Sequence, residues 1–318
     1  MTLIAAIRTK EGVAICADSQ ETSEHEDGSF YRRTVQKIAP IVAGHYQIAI
    51  AGSGDADLIE AFIILADRKL KSDTSEPSVS RVLLLIEEEL DKFYAKHVTN
   101  GGAAMKLFIA AHSPLSKEYE VWVSEKQYLR PLKDAELIGW EEELYWVAIK
   151  RLYRPGMSLM QAVLAAVHVL VIGEESSNYI KGPFSLTVVR ENGIWAENSD
   201  YVDILRDRLS KFESYTNQIL LACADTSLYS HDLETAIVQF AVTAKELHKE
   251  QIDEAVQKMA KMGLMMNDSI CKLPLGLLIE VDNNGSAKAV HDVNGIQEMM
   301  RRVNEAVKGK DNSEGDES

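Results

Sequence analysis

Cysteine is scarce in this chain, with three residues among 318: Cys16, Cys223 and Cys271. They are too few and too scattered for a disulfide framework or a Cys-type metal site, and each reads as a small buried residue. Basic residues are outnumbered, 34 Lys and Arg against 49 Asp and Glu, for a net charge of −15. Binding a phosphate backbone needs a basic stripe, and no Lys/Arg cluster with interleaved aromatics is present, so nucleic acid is excluded as a partner. No apolar run reaches the roughly 18 residues of a membrane span, and Met1 is not followed by a basic region and an apolar signal core. No membrane partner is therefore expected, and the expected compartment is the cytoplasm. The histidines show no His-Glu-x-x-His or other paired spacing, and no Gly-rich loop ends in Gly-Lys-Ser/Thr, so neither a metal nor a nucleotide or other cofactor is expected. Glu280, Asp282, Asn284 and Gly285 imitate the opening of a calcium loop, but the twelfth position holds His291 where a bidentate Glu is needed.

The N-terminus carries what the rest of the chain lacks. Thr2 stands behind Met1 and opens an apolar, strand-like run, Leu3-Ile4-Ala5-Ala6-Ile7. A methionine aminopeptidase removes Met before a residue as small as Thr, which would leave a hydroxyl and a free α-amine on one residue. An α-amine has a reference pKa of about 7.7–8.0, so at neutral pH part of it is unprotonated and can take the hydroxyl's proton. A Thr hydroxyl without such help is a poor nucleophile, and pairing it with the terminal amine is a known way of activating it. Lys37 beside Thr2 would lower the amine's proton affinity and stabilise a developing alkoxide, and Asp18 would hold Lys37 in place and keep it charged. Taken singly, Thr2, Asp18-Ser19 and Lys37 are ordinary as a processed terminus, a turn and a surface lysine; the succession carries the reading.

That succession has a strand from Thr2, a hairpin through Lys10-Glu11-Gly12, a second strand Val13–Ala17 ending in Asp18-Ser19, then Val35-Gln36-Lys37-Ile38. A further strand, Tyr46–Ile50, runs into Ala51-Gly52-Ser53-Gly54-Asp55. Residues 1–70 resemble the start of a 20S proteasome β subunit of the N-terminal nucleophile hydrolases. The resemblance implies that Thr2 is the nucleophile, that Asp18 and Lys37 support it, and that the Gly52 amide stabilises the oxyanion. A glycine lets backbone approach a substrate closely and aim its N–H where the negative charge develops. The resemblance also implies a threonine-type endopeptidase that takes peptide or unfolded protein as substrate. It implies a homo-oligomeric ring or stack hiding its threonines, with room for an unfoldase partner. The chain departs from the family where the terminal amine is oriented: no serine lies in Ile138-Gly139-Trp140-Glu141, and Glu174–Tyr179 offers acids and hydroxyls at shifted spacing. An inactive scaffold subunit and an amidohydrolase acting on small amides stay open beside the peptidase.

The rest of the chain is consistent with that core. Strands near 2–8, 13–18, 35–42 and 46–51 precede two helices, Asp55 to about Lys71 and Ser78 to about Lys96, the second with a buried run Val82–Ile86. Strands return at 106–111 and 119–123, helices at about 141–153 and 158–171, and strands at 184–190 and 193–197. Strand blocks alternating with helix pairs give an α+β fold of two packed sheets with helices outside, the four-layer αββα sandwich that the resemblance implies. The expected domains are 1–198, the hydrolase; 199–308, a helical extension with helices near 231–249 and 251–266; and 309–318, a polar disordered tail. A hairpin at Leu277–Val281 should turn through Asn283-Asn284-Gly285, since Asn-Gly fits a type I′ turn. Met259, Met262, Met265 and Met266 form a stripe suited to adaptable packing. The acidic stretch Ser23–Phe30, with His25, is an insertion expected beside the substrate groove, where it would favour basic side chains.

Overall fold

The computed structural model describes residues 2–24, 30–43, 46–73, 78–98, 105–139, 141–224, 235–249, 277–281 and 287–291. The tip of the acidic insertion, Trp140, the expected helix at 251–266, the methionine stripe and the tail lie outside these residues. The chain divides into two units, Met1–Thr243 and Ala244–Ser318. In the second, β13 (Leu277–Val281) and β14 (Ala287–His291) pair antiparallel, while the turn expected through Asn283-Asn284-Gly285 lies outside the described residues.

The first unit is mixed α and β with antiparallel sheets. One sheet has the order β10-β1-β2-β11-β12, built from β1 (Leu3–Arg8), β2 (Val13–Ala17), β10 (Ala135–Gly139), β11 (Ser185–Arg190) and β12 (Gly193–Ala196). The other has the order β5-β6-β7-β8-β9, from β5 (Ile38–Ala43), β6 (Tyr46–Gly54), β7 (Met105–Ser113), β8 (Glu118–Glu125) and β9 (Tyr128–Pro131). A separate two-stranded ribbon joins β3 (Gln20–Glu24) to β4 (Phe30–Thr34). The acidic insertion is thus flanked by paired strands, which its polar sequence does not announce.

The unbroken apolar run of β1 follows from its place in the middle of its sheet, buried on both faces. Alternation sorts its side chains. Ile4 and Ala6 join Val13, Ile15 and Ala17 in a core shared with Ala49, Ala51, Phe108 and Ala110 of the second sheet. From the opposite face, Leu3 packs against Gly173 of α4 (Leu159–Ser176), which lies on β1 and β2. By length and apolar content alone α4 could cross a membrane, which a count of unbroken apolar residues misses. It is the core helix of this sheet, with Ala162, Ala166, Val167 and Val169 fully buried. Its start is fixed by a capping box, Ser158 with Gln161.

The outer face of the second sheet is covered by α1 (Ala56–Ser72) and α2 (Val79–His97). Asp55 caps α1 by accepting from the N–H groups of Asp57 and Leu58 at 3.0 and 3.1 Å, and Ser78 caps α2 through Arg81 N–H. In the expected run of α2, Val82, Leu85 and Ile86 are buried while Leu84 is exposed, so the helix is amphipathic rather than enclosed. The α3 helix (Glu142–Leu152) packs on β10 and α4, and α5 (Ser199–Ala224) on α4 and β11. A sixth helix, α6, spans 235–249. Cys16 is buried as expected, whereas Cys223, near the end of α5, is exposed; Cys271 lies outside the described residues.

Candidate functional site

Asp18 follows the last residue of β2 and is fully buried. A buried carboxylate needs partners, and the fold supplies them from both sheets. Its Oδ1 accepts from the Leu3 N–H at 2.9 Å and from Lys37 Nζ at 2.8 Å, and its Oδ2 accepts from the Gln20 N–H at 3.2 Å. The Asp18 N–H in turn donates to Leu3 O at 3.2 Å, so the start of β1 is tied to the end of β2 by two bonds. One carboxylate oxygen thus joins the peptide that follows Thr2 to the Lys37 ammonium.

Lys37 stands just before β5, at the edge of the second sheet, with a side chain only 5% exposed. Besides Asp18 it donates to Gln20 O at 2.6 Å. Burial lowers its ammonium below the ordinary lysine value, against the charge and hydrogen bond of Asp18; burial likewise raises the Asp18 carboxyl, against Lys37. The ammonium is therefore easier to deprotonate than a surface lysine.

Thr2 is 8% exposed and lines a cavity of about 810 Å³ together with Lys37 and Gly52. One wall is the first part of α1, with Asp57, Glu60 and Ile63; the other is the β3–β4 ribbon, with Glu21, Tyr31 and Arg33. Across that ribbon Arg33 holds Glu21 in a bidentate pair at 3.0 and 3.1 Å. The ribbon residues that line the cavity, Glu21 and Thr22 on one strand and Tyr31 and Arg33 on the other, lie on either side of the acidic insertion in sequence.

The structure brings Thr2, Asp18, Lys37 and Gly52 to one seam, but Gly52 differs in detail from its expected part. Its N–H points at Lys37 O, 3.3 Å away, just beyond the usual range for such a bond. Its lack of a side chain has a packing cause too: a Cβ there would stand 2.7 Å from Ile59 Cγ2 on α1. In the segment Glu174–Tyr179 the acids and hydroxyls are engaged locally. Glu174 is held by Arg206 and the Gly182 N–H, and Ser176 Oγ donates to Ile172 O at 2.6 Å. That segment reaches the site through its backbone, where Asn178 O accepts from Gln20 Nε2 at 3.1 Å.

Sequence reasoning missed Gln20, whose contacts with Asp18 and Lys37 are made by its backbone N–H and carbonyl and leave no trace in side-chain type. It also missed Gly139 as more than the site of an absent serine. Gly139 pairs with Leu3, and a Cβ there would lie 1.9 Å from the Thr2 carbonyl oxygen. The signal available was the glycine itself, inside a strand. Among the described residues no group of three or more His, Cys, Asp or Glu is placed to hold a metal ion.

No protein-family model and no curated protein matches this chain. Solved structures do match it. Anbu from Yersinia bercovieri, described as an ancestral β-subunit, superposes with a TM-score of 0.56 at 13% identity over 71% of this chain and 98% of its own. Anbu from Hyphomicrobium sp. strain MC1 gives 0.56 at 13% identity over 71% and 99%. The Anbu complex of Pseudomonas aeruginosa, described as a helical assembly, gives 0.58 at 14% identity over 72% and 99%. The resemblance to 20S proteasome β subunits is corrected by these findings: no family model supports that membership, and these three structures are of Anbu. At 13–14% identity the likeness shows a shared fold and nothing finer.

Proposed function

We propose that this chain is a hydrolase of the N-terminal nucleophile kind that cleaves peptide bonds from Thr2 once Met1 is removed. The observation that carries the reading is the Asp18 carboxylate, which joins the Leu3 N–H to the Lys37 ammonium at the cavity that Thr2 lines. A structural subunit needs no buried ion pair beside its N-terminus, and such a pair is costly to desolvate.

In this mechanism the free α-amine of Thr2 takes the proton from Oγ, and Oγ attacks the substrate carbonyl carbon. Lys37, its own proton affinity reduced by burial, stabilises the alkoxide and keeps the amine unprotonated. The oxyanion takes the Gly52 N–H in exchange for its long bond to Lys37 O. The protonated amine then gives its proton to the leaving nitrogen as the C–N bond breaks, leaving an ester on Thr2. Water, deprotonated by the same amine, cleaves the ester and restores the hydroxyl.

The arrangement of helices, two sheets and helices is read as an αββα sandwich. A helical stack of identical subunits, with the cavities turned inward, is the proposed assembly, supported by the helical assembly of the P. aeruginosa Anbu complex. The scaffold reading draws on one observation, the engaged Gly52 N–H. Intact mass establishes whether residue 2 is the N-terminus; hydrolysis of a peptide library and labelling by a peptide epoxyketone, which uses both hydroxyl and amine, then decide. Thr2→Ala is expected to abolish both. Retained hydrolysis in Thr2→Ala, or no labelling of the processed wild type, sinks the proposal in favour of a scaffold or a different nucleophile.

A further inference from the structure

Residue 2 is seated against a glycine whose own position is held from outside its strand. Gly139 has φ +142°, a region that side chains rarely enter, and a Cβ there would stand 1.9 Å from Thr2 O and 2.8 Å from its carbonyl carbon. The Thr2 carbonyl can therefore lie only where the bare Gly139 backbone allows it. That backbone is fixed by a side chain: the Gly139 N–H donates to Glu142 Oε2 at 3.0 Å. The second oxygen of the same carboxylate accepts from Lys106 Nζ. Lys106 belongs to β7 and pairs with Ser53, the neighbour of Gly52, in the sheet on whose edge Lys37 stands.

Glu142 thus bridges the two halves of the site from the first turn of α3. Its carboxylate sits where helix N-terminal charge favours an anion. The turn that puts it there is unusual, since Glu141 before it adopts a left-handed conformation, φ 53°, and makes no side-chain cap. A capping residue would satisfy the helix end more simply. The conformation found turns Glu142 back onto β10 instead.

We propose that Glu142 is a positioning residue for the nucleophile. It holds Gly139 and, through it, the backbone of Thr2 in register with the sheet that carries Lys37. The proposal rests on the reading of Thr2 as nucleophile. Glu142→Gln keeps an oxygen for the Gly139 N–H, and Glu142→Ala keeps none. Both changes are at a half-buried side chain, 23% exposed, whose ion-pair partner Lys106 is 52% exposed, and the fold should survive them.

The test uses full-length protein with its N-terminus verified by intact mass. Glu142→Ala is expected to lower kcat by about 10-fold, within the loss of up to about 10² that a displacement near 1 Å produces, with KM and Tm little changed. Hydrogen exchange at the Gly139 amide should accelerate in the same protein. Glu142→Gln, which keeps an acceptor for the Gly139 N–H but loses the one for Lys106, should recover most of the exchange protection and part of kcat. Three outcomes overturn the proposal: unchanged kcat in Glu142→Ala, a Gln variant as impaired as the Ala variant, or a loss of rate that follows a fall in Tm. A wild-type chain that neither cleaves peptides nor takes the epoxyketone removes the nucleophile itself. That failure is distinct, because it shows before any variant is compared, and Gly139 exchange then reports a purely structural link.

Discussion

The two faces of the second sheet are packed by different kinds of residue. Under α1 and α2 lie Phe62, Phe93, Leu85, Ile86 and Leu90 over Ile48 and Ile50. Toward the first sheet the same strand β6 presents Ala49 and Ala51, with Ala110 beside them and Ala6 and Ala17 across the gap. Large side chains bury apolar area and carry stability. Small ones let two sheets approach, and at the edge of that close seam Asp18 meets Lys37 at 2.8 Å. Both faces bury large side chains, among them Phe108, Ile4 and Ile15 between the sheets, but only the inner one intersperses them with a row of alanines.

If the faces differ in this way, mutations on them separate stability from activity. Phe62→Ala, in the helix-covered face, is expected to cost about 3–5 kcal/mol in urea unfolding, with turnover per folded molecule unchanged. A loss of turnover greater than the loss of folded protein would show that the outer face also sets the site.

Lys37→Met strands the fully buried Asp18 carboxyl and is expected to cost about 3–5 kcal/mol at neutral pH, while Asp18→Asn with Lys37→Met should cost much less than the two single changes added. The sign of the pH dependence follows from the shifts. With Lys37 below its ordinary 10.5, the folded state holds fewer protons there than the unfolded chain. Its contribution to stability is full above that value and is lost as pH falls through the folded pKa. With Asp18 above its ordinary 3.8, the contribution is full below that value and is lost as pH rises through the folded pKa. The ion pair therefore costs most between those two titrations. The double variant should compare best with the wild type in that neutral window and lose ground toward either end; a difference that is flat with pH would contradict this.

Ala110→Leu adds volume in the seam. It is expected to cost about 1–3 kcal/mol and to reduce kcat by more than Phe62→Ala does, because it widens the gap across which Lys37 reaches Asp18. Equal kcat at equal stability would break the distinction between the faces. The smallest effect is expected at Ser19, whose buried hydroxyl has no hydrogen-bond partner among the described residues. Ser19→Ala should raise stability by roughly 1 kcal/mol, read as a shift in urea midpoint at constant m-value.

Much of the element order is legible in the sequence. The caps Asp55 and Ser78 and the apolar runs of β1, β6 and β7 are local signals, and the strands and helices form close to where those signals place them. Where the sequence falls short, the determinants are not local. The β3–β4 ribbon is polar apart from Phe30 and Tyr31, so no apolar alternation marks it. Strands β9 and β10 are short and depend on their neighbours for pairing. In the site, the side chains that carry charge are identifiable by type and order, but Gln20 meets Asp18 and Lys37 through its backbone and Gly139 acts through the absence of a Cβ. Neither contribution is a property of one position.

By itself the sequence determined the alphabet of the site and the elements that deliver it: a Thr at the head of a strand, an Asp at the end of the next, a Lys before another and a glycine turn. Those are short-range facts, set by composition, periodicity and turn chemistry. Only the tertiary structure decided that Thr2 and Asp18 stand at strand ends of one sheet, with Lys37 just before β5 and Gly52 within β6 of the other. Only it showed that one carboxylate oxygen serves both Leu3 and Lys37, and that Gly52 spends its N–H on Lys37 O. The reason is physical: these relations depend on how closely two sheets pack and on which helix side chain stands behind a strand, and both are set by contacts between residues far apart in the chain.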